Sequence, residues 1–406
     1  METGPLVLPR LTYYRLLRVP VEIDTSNCHN RPHIHRMIGT VLYHSEAVRS
    51  ALFPREGLRF VNWYLHHGCN RHCSYCRVPK QKVAVMDRDQ RREALGRLRR
   101  LCVKQPVISV FGGEPTLTPG LLLEAVSDAA SLGYLVNVVT NGSGLSPDLI
   151  RRLGSAGLYY LAISVDCDDD TEKSDLQQAL DLHKVAKRQG IIPVVNAVVT
   201  RRTSPVAMKR LVTSVINAGY LFSPLMCSPE IPGGSFSGAQ PDSIPTAQQL
   251  RGIIPWLAWR KLTTGRVTSS FGYLWAMYRS GSSDSRGARL WHCSSHLRPW
   301  PGTRGRGYMT LDSDGWVGSC QEFPRSVNLL EIPETRLSVR FLDDLFIEAV
   351  RRCPGCFHNC YVMEEDIRGL RALAEMSTFI QIAAIVSANR RSSGFAPNRT
   401  AETSLP

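Results

Sequence analysis

The sequence predicts an α/β fold, a partial (β/α)6 barrel followed by a smaller C-terminal α+β domain. Strand-like and helix-like segments alternate from residue 59 to about residue 226, and several of the helix-like segments begin with Asp or Ser-Pro and end at Gly, which are helix start and stop signals. The C-terminal part instead shows a hairpin-like pattern and helices around clustered cysteines. Right-handed crossovers arrange the six alternating units as a parallel barrel that is open on one side.

Each predicted strand is a short run rich in β-branched and aromatic residues, as expected for strands buried on both faces of a parallel sheet. The predicted strands are Phe60–Leu65, Val107–Phe111, Tyr134–Thr140, Tyr159–Val165, Ile192–Thr200 and Tyr220–Leu225. The predicted helices between them are Asp87–Leu101, Pro119–Leu132, Pro147–Ala156, Ser174–Gln189 and Pro205–Ala218. In barrels of this kind the chemistry lies at the carboxyl ends of the strands, so the residues that follow each strand are the candidates for a site.

The 406 residues divide by composition into five predicted segments. They are an N-terminal extension (1–58), the barrel (59–228), a linker and helical region (229–290), the C-terminal domain (291–389) and a disordered tail (390–406). The linker region opens with the Gly-, Pro- and Ser-rich stretch Pro229–Pro245 and continues with helices at Thr246–Lys261 and around Phe271–Tyr278. Helices at Val339–Arg351 and Glu364–Ala388 are expected in the C-terminal domain.

Composition argues against membrane and nucleic-acid functions. The sequence has no apolar run long enough to span a bilayer and no signal-peptide layout at its start, so we expect a cytoplasmic protein. The net charge of +14 comes from arginines scattered over predicted helices and the tail. Because they form no basic stripe interleaved with aromatic residues, a nucleic-acid groove is not expected.

Three cysteines, Cys69, Cys73 and Cys76, follow the first predicted strand in C-x3-C-x2-C spacing. Thiols at such spacing in a cytosolic protein are typical metal ligands. Three thiolates can hold three irons of a cubane cluster and leave the fourth iron open, as a catalytic site requires. The alternative is a zinc knuckle, with one of His66, His67 or His72 as its fourth ligand.

With Tyr75 in the aromatic position, this C-x3-C-x-aromatic-C motif resembles that of the radical S-adenosylmethionine (SAM) superfamily. The resemblance covers about residues 59–226 and implies a 4Fe–4S cluster that binds SAM at its open iron. It also implies reductive cleavage of SAM to methionine and a 5′-deoxyadenosyl radical. A flavodoxin- or ferredoxin-type electron donor is the partner that this chemistry implies.

Further motifs follow in the order of the superfamily. Gly112-Gly113-Glu114-Pro115, after the second predicted strand, matches the GGEP motif, whose backbone the resemblance places against the ammonium group of SAM. Thr140 and Asn141 stand at the end of the third strand, Ser164 and Asp166 at the end of the fourth, and the fifth strand carries Asn196. The resemblance implies that they contact the carboxylate and ribose of the cofactor. A zinc knuckle predicts none of these later motifs.

A second group of cysteines lies near the end of the chain: Cys293, Cys320, Cys353, Cys356 and Cys360. The G-x4-C element from Gly315 to Cys320 resembles the SPASM extension or its shorter twitch form, which carries auxiliary clusters. The resemblance implies one auxiliary 4Fe–4S cluster, with Cys293, Cys320, Cys353 and Cys356 as favoured ligands and Cys360 in doubt. A structural zinc site with four thiolates suits the same spacing.

The residues do not specify the substrate. We expect a small natural-product or sugar-like metabolite that undergoes dehydrogenation, epimerisation or rearrangement, because the first 58 residues show no clear helical trio of the kind that peptide-modifying relatives carry. A radical SAM maturase of a ribosomal peptide is the first alternative. A non-catalytic zinc or iron–sulfur protein is the second, and the presence of Glu114 together with the three cysteines argues against it.

Overall fold

A computed structural model of the chain describes residues 57–76, 78, 83–167, 175–227, 243–280, 307–323, 325–352 and 374–393. All of them belong to one compact unit, Glu46–Pro406. Several predictions lie outside the described residues: the N-terminal extension up to residue 56, most of the Gly- and Pro-rich linker, the start of the last predicted helix, and Cys293, Cys353, Cys356 and Cys360.

The strands of the described residues form one sheet in the order β6-β5-β4-β3-β2-β1-β7-β8-β9. Their bounds are β1 Leu58–Tyr64, β2 Cys102–Phe111, β3 Leu135–Thr140, β4 Leu158–Ser164, β5 Ile192–Val199, β6 Leu221–Met226, β7 Tyr308–Leu311, β8 Trp316–Gly318 and β9 Val327–Asn328. Neighbours among β1 to β6 are parallel, which confirms the predicted barrel sheet. β2 begins five residues earlier than predicted, because the polar, exposed residues Lys104 and Gln105 mask its start in the sequence.

Five helices follow β1 to β5 as predicted, and four more come later in the described residues. They are α1 Arg88–Arg100, α2 Pro119–Ser131, α3 Pro147–Ser155, α4 Leu176–Arg188, α5 Pro205–Asn217, α6 Ala247–Thr264, α7 Phe271–Ser280, α8 Val339–Arg352 and α9 Met376–Ser393. Capping residues next to the first turn fix where these helices start. Asp87 forms a capping box with Gln90 at α1, and Ser146 caps α3 ahead of Pro147.

Alternate residues of the strands pack against the helices. Val61, Trp63, Ile108, Val110, Val136 and Val138 belong to the same buried cluster as Leu95 and Val126 of the helices. Because successive side chains of a strand point to opposite faces, the residues between them face away from α1 to α5. We call that opposite side of the sheet the inner face.

The C-terminal hairpin extends the barrel sheet. β7 pairs in parallel with β1, with Phe60 opposite Tyr308 and Trp63 opposite Leu311, and β8 returns antiparallel to β7. The sequence predicted a hairpin here but not its pairing with β1, because the residue pattern of a short strand does not show which strand it pairs with. The pairing places the residues after β7 beside those after β1.

The last described helix, α9, ends five residues later than predicted. It continues to Ser393, so residues 390–393, which the sequence analysis assigned to a disordered tail, are helical. The sequence has no Gly or Pro between Met376 and Ser393, so no local stop signal ends the helix at Ala388. Ile382 and Ile385 of α9 pack against Ile192 and Leu221, near the amino ends of β5 and β6. Among the described helices, none is long and apolar enough to cross a membrane.

Candidate functional site

The three motif cysteines lie on the loop that follows β1. Cys69 and Cys73 are half-buried, Cys76 is exposed, and none of the three forms a disulfide within the described residues. The amide of Cys76 donates to the carbonyl of Cys73 at 3.0 Å, and the amide of Arg71 donates to the Cys69 sulfur at 3.4 Å. The loop follows β1, so these cysteines lie at the carboxyl edge of the sheet, where the sequence analysis placed them. In the part of the chain that the structure describes, no group of three Cys, His, Asp or Glu side chains lies close enough together to hold one metal ion.

The glycines of the GGEP segment lie directly on the cysteine loop. The amide of Gly113 donates to the His66 carbonyl at 2.8 Å, and the amide of Glu114 donates to the Gly68 carbonyl at 2.7 Å. A Cβ on Gly113 would lie 1.9 Å from the Gly68 carbonyl oxygen, and one on Gly112, whose φ is +146°, would lie 2.1 Å from that of His66. Only glycine permits this approach.

The buried carboxylate of Glu114 joins the ends of β2 and β3. One of its oxygens accepts hydrogen bonds from the hydroxyls of Thr116 and Thr140, each at 2.6 Å, and the other accepts from the amide of Asn141 at 2.6 Å. Pro115 begins the 3-10 turn that follows. The structure thus brings together Glu114, Thr140 and Asn141 from two separate motifs and gives the glutamate a role in holding the GGEP loop in place.

Two side chains link the cysteine loop to the loop after β3. Asn70 donates to the Ser143 hydroxyl at 2.9 Å and accepts from the side-chain amide of Asn141 at 3.1 Å. Asn70 and Ser143 were not among the predicted site residues. The Asn-Gly turn that contains Asn141 was the only signal near them in the sequence.

Tyr75 connects the cysteine loop to the ends of β4 and β5. Its hydroxyl donates to one carboxylate oxygen of Asp166, and the other oxygen accepts from the amide of Val198 at 3.1 Å. Burial raises the pKa of Tyr75 well above its usual value, and the negative charge of Asp166 raises it further. Ser164 and Asn196, both predicted site residues, are register partners on β4 and β5 in the same region.

The opposite side of the cysteine loop contacts the C-terminal hairpin. His67 lies 2.7 Å from the Asp312 carboxylate, which also accepts from Arg325 at 2.9 Å. Burial acts to raise the pKa of Asp312, but the hydrogen bonds from His67, Ser313 and Arg325 lower it below its usual value. The sequence analysis missed this group of residues, because nothing local to either segment relates one to the other.

Tyr64 lies between the two cysteine-bearing segments. Its ring packs on Phe111 with the centroids 4.4 Å apart, and burial raises its pKa well above the usual value. Glu322, Asp312, Cys320 and Cys76 raise it further. Cys320 is buried just after β8. The structure therefore places Cys320 close to the first motif, whereas the other four cysteines of the second group lie outside the described residues.

A comparison with protein families finds one domain in the chain. Residues 63–204 match the family model of the radical SAM superfamily. The match begins within β1 and includes the cysteine loop, the GGEP segment and the ends of β3 to β5.

Two curated relatives match shorter parts of the chain. The AdoMet-dependent heme synthase of Methanosarcina barkeri is 28% identical over 114 residues, which is 27% of this chain and 31% of the relative. The PqqA peptide cyclase of Streptomyces rochei is 36% identical over 104 residues, which is 25% of this chain and 28% of the relative. The chain thus spans less than a third of the length of these relatives.

Solved structures share the fold over most of the chain. Streptococcus suis SuiB bound to precursor peptide SuiA has a TM-score of 0.54 at 14% identity, with 78% of this chain and 71% of that chain covered. Native anSMEcpe with bound AdoMet has a TM-score of 0.53 at 13% identity, with 83% of this chain and 100% of that chain covered. At these identities the likeness shows the fold alone.

Proposed function

We propose that this chain cleaves SAM reductively to modify a peptide substrate. Residues 63–204 match the radical SAM domain, which is the domain of an enzyme superfamily. The observation that supports SAM cleavage is the contact between two motifs distant in the sequence. Gly112 and Gly113 pack on the backbone of His66 and Gly68, immediately before Cys69. The glycine backbone is thereby held beside the loop that would bind the cluster.

The residues of the site suit the two cofactors. Cys69, Cys73 and Cys76 would hold the 4Fe–4S cluster, and the backbone at Gly112 to Glu114 would bind the ammonium group of SAM. Thr140, Asn141, Ser164 and Asp166 stand at the ends of β3 and β4, and Asn196 lies within β5 opposite Ser164; these residues would contact the carboxylate and ribose of SAM. When bound, the reduced cluster supplies the electron that cleaves SAM to methionine and a 5′-deoxyadenosyl radical, which removes a hydrogen atom from the substrate.

The chain's own residues position these groups. Glu114 fixes the GGEP loop through its bonds to Thr116, Thr140 and the amide of Asn141. Tyr75 and Asp166 hold the far side of the cysteine loop against β4 and β5. These contacts would fix the orientation of the bound cluster and SAM relative to the substrate. In cofactor enzymes the cofactors supply the reactivity and the protein supplies this orientation.

A second cluster is part of the proposal. Cys320, with Cys293, Cys353 and Cys356, would bind an auxiliary 4Fe–4S cluster, with Cys360 as the spare thiol. The burial of Cys320 next to Tyr64 supports a site close to the first cluster. A flavodoxin- or ferredoxin-type protein would supply the electrons. Iron and sulfide counts on a variant lacking Cys69, Cys73 and Cys76 test this part, and about four irons should remain.

The comparisons support a peptide as the substrate. The PqqA peptide cyclase shares 36% identity with this chain over 104 residues, and SuiB, which has the same fold, binds a precursor peptide. A small metabolite, which the sequence analysis favoured, remains the second candidate. The similarity to an AdoMet-dependent heme synthase is the observation that supports it.

Formation of 5′-deoxyadenosine tests the proposed SAM cleavage. Anaerobically reconstituted protein, reduced with dithionite and given SAM, should produce 5′-deoxyadenosine, and Cys73→Ala should not. Cys102→Ala is the matched control, since Cys102 lies at the amino end of β2, away from the cysteine loop, and should leave the product unchanged. No product from the wild-type protein would overturn the proposal.

A further inference from the structure

Five of the nine large apolar residues that are exposed in the described part of the chain lie on three successive helices. They are Val206 on α5, Trp259 and Leu262 on α6, and Trp275 and Tyr278 on α7. The exposed fraction is 53% for Trp259, 68% for Leu262 and 61% for Trp275. Single exposed apolar residues are ordinary, but a group of them marks a surface that binds a partner.

The outward side of α6 is apolar at positions where a solvent-facing helix is usually polar. Arg251, Pro255, Trp259 and Leu262 are all exposed, and their spacing of three or four residues places them on one side of the helix. The opposite side is buried and carries four apolar residues: Leu250, Ile253, Ile254 and Leu257. The helix therefore has a second apolar side, which is open to solvent.

The exposed side of α7 is of the same kind. Trp275 and Tyr278 stack on each other with their ring centroids 5.9 Å apart. Three other residues of the helix are buried in the same cluster as α6: Tyr273, Leu274 and Met277. We call the exposed side of α6, from Arg251 to Leu262, together with Trp275 and Tyr278, the aromatic face. Because α6 and α7 share the buried cluster of α1 to α5, the aromatic face does not belong to the inner face of the sheet.

The helices that bear the aromatic face carry no acidic residue. Residues 190–227 and 243–280, which hold β5, α5, β6, α6 and α7, contain no Asp or Glu, although the chain has 35 of them among 406 residues. They contain nine basic residues: Arg201, Arg202, Lys209, Arg210, Arg251, Arg260, Lys261, Arg266 and Arg279. Lys261 is buried and pairs with Glu375, so the surface charge comes from the other basic residues. The potential around the aromatic face is therefore positive.

Two contacts bring arginines to the aromatic face. The side-chain amide of Gln249 donates to the Thr203 carbonyl at 3.1 Å, which holds the loop of Arg201 and Arg202 beside the start of α6. Farther along α6, the Arg260 guanidinium lies 5.5 Å from the ring centroid of Trp259. Aromatic residues and arginine are enriched at protein interfaces, where they supply much of the binding energy.

We propose that the aromatic face docks an acidic polypeptide, whose carboxylates pair with the arginines while its apolar side chains cover Trp259, Leu262 and Trp275. Charge complementarity identifies the partner as acidic. A second copy of this chain would place the same positive surface against itself, which like charges oppose. Bases of a nucleic acid stack on free aromatic rings, whereas Arg260 lies over Trp259 and Tyr278 stacks on Trp275. The proposal goes beyond SAM cleavage and does not depend on it.

Binding of synthetic peptides to the full-length protein tests the proposal. The probe is a fluorescein-labelled peptide of three LEELLEE repeats, which has the pattern of an acidic amphipathic helix. One comparator is basic (LKKLLKK) and the other is acidic but lacks apolar residues (SEESSEE). Fluorescence anisotropy gives the dissociation constants. We expect the probe to bind about tenfold more tightly than either comparator, and its affinity to fall as salt is added, because salt screens the charges.

Two variants locate the binding on the aromatic face. Trp259→Ser combined with Leu262→Ser should weaken binding of the probe about tenfold, since central aromatic residues dominate interface energies. Arg251→Glu should also weaken it and reduce the effect of salt. Leu345→Ser is the matched control, because Leu345 is equally an exposed apolar residue but lies next to Asp344 on α8. It should leave binding unchanged. Circular dichroism checks that each variant folds, and Arg251→Glu decides the question if the double variant does not.

The other occupants are outcomes of the same test. A poly(dT) oligonucleotide and vesicles of phosphatidylserine and phosphatidylcholine are assayed in parallel, and sedimentation equilibrium measures self-association. Tighter binding of the oligonucleotide or the vesicles than of the probe, or a dimer that the double variant abolishes, would overturn the proposal. Comparators that bind as tightly as the probe, or an unchanged affinity in either folded variant of the aromatic face, would overturn it as well.

Discussion

The imidazole of His67 lies 2.7 Å from the carboxylate of Asp312, although 245 positions separate the two residues in the sequence. Both side chains are buried. His67 stands two positions before the first motif cysteine, and Asp312 opens the turn of the hairpin that leads to Cys320. The pair therefore joins the cysteine loop to the C-terminal hairpin.

Replacing Asp312 should loosen this connection. Asp312→Ala leaves His67 without this acceptor and should lower the free energy of unfolding by about 1–3 kcal/mol. It should also lower the iron retained by anaerobically purified protein, because the loop that bears Cys69 is held less firmly. The control is Asp314→Ala, which removes one of the two carboxylate partners of Arg325, at 2.6 Å, and leaves the contact between His67 and Asp312 in place. Equal iron contents and stabilities in the two variants would contradict a positioning role for Asp312.

Glycine at position 113 should be essential for the site. In Gly113→Ala the new Cβ would collide with the Gly68 carbonyl, so the GGEP loop must move away from the cysteine loop. We expect at least a tenfold loss of SAM affinity, measured by equilibrium binding to the reconstituted protein, since a shift of the loop removes more than one hydrogen bond. Gly120→Ala in α2 is the control, because a Cβ there meets nothing within 4 Å. A normal SAM affinity in Gly113→Ala would show that the close approach is not needed.

The buried ion pair of Lys261 and Glu375 should dominate the attachment of α9. The two side chains lie 2.8 Å apart with exposures of 0% and 5%, and Lys261 also donates to the Val267 carbonyl at 3.0 Å. Lys261→Met leaves Glu375 buried without a counter-charge and should cost about 3–5 kcal/mol of unfolding free energy in denaturant titrations. The exposed pair of Lys184 and Asp181 provides the control, since Lys184→Met breaks a solvent-screened pair and should leave the unfolding free energy nearly unchanged. Similar losses in both variants would refute the importance of the buried pair.

His183 should make the protein less stable in mild acid. It is buried, its ring bonds the Val194 carbonyl at 3.0 Å, and burial lowers its pKa to about 3. In the unfolded chain His183 has its ordinary pKa of about 6.5 and binds a proton below that pH, whereas in the folded chain it stays neutral. The free energy of unfolding therefore falls as the pH drops from about 6.5 toward 3. Between pH 7 and 5.5 the loss should be about 1 kcal/mol. His183→Phe should reduce the loss by that amount, and an unchanged pH dependence in the variant would contradict the assignment.

The barrel could be predicted from the sequence because its signals are local. Capping residues such as Asp87 and Ser146 mark the starts of helices, and β-branched runs mark strands that are buried on both faces. The order of the motifs then placed the cysteines, Glu114 and Asp166 on neighbouring strand ends without any tertiary information. The match of residues 63–204 to the radical SAM superfamily confirms the family resemblance, while the roles of the individual site residues stay predictions.

Contacts between distant segments could not be predicted. The pairing of β7 with β1, the contact of His67 with Asp312 and the attachment of α9 through Glu375 all depend on partners far apart in the chain. Alternation within one strand gives the face of each residue but not its neighbour across the sheet. That Asn62, Ser109 and Asn137 are neighbours across the sheet therefore emerges only once the register of β1, β2 and β3 is known, although each residue is visible in the sequence.

Electron paramagnetic resonance of the dithionite-reduced wild-type protein, before and after SAM is added, tests the central claim most directly. We predict a 4Fe–4S signal of which one part changes when SAM binds, and we predict that Cys73→Ala removes that part alone. A spectrum that SAM leaves unchanged, or a purified protein that holds zinc and no iron at Cys69, Cys73 and Cys76, would contradict the account.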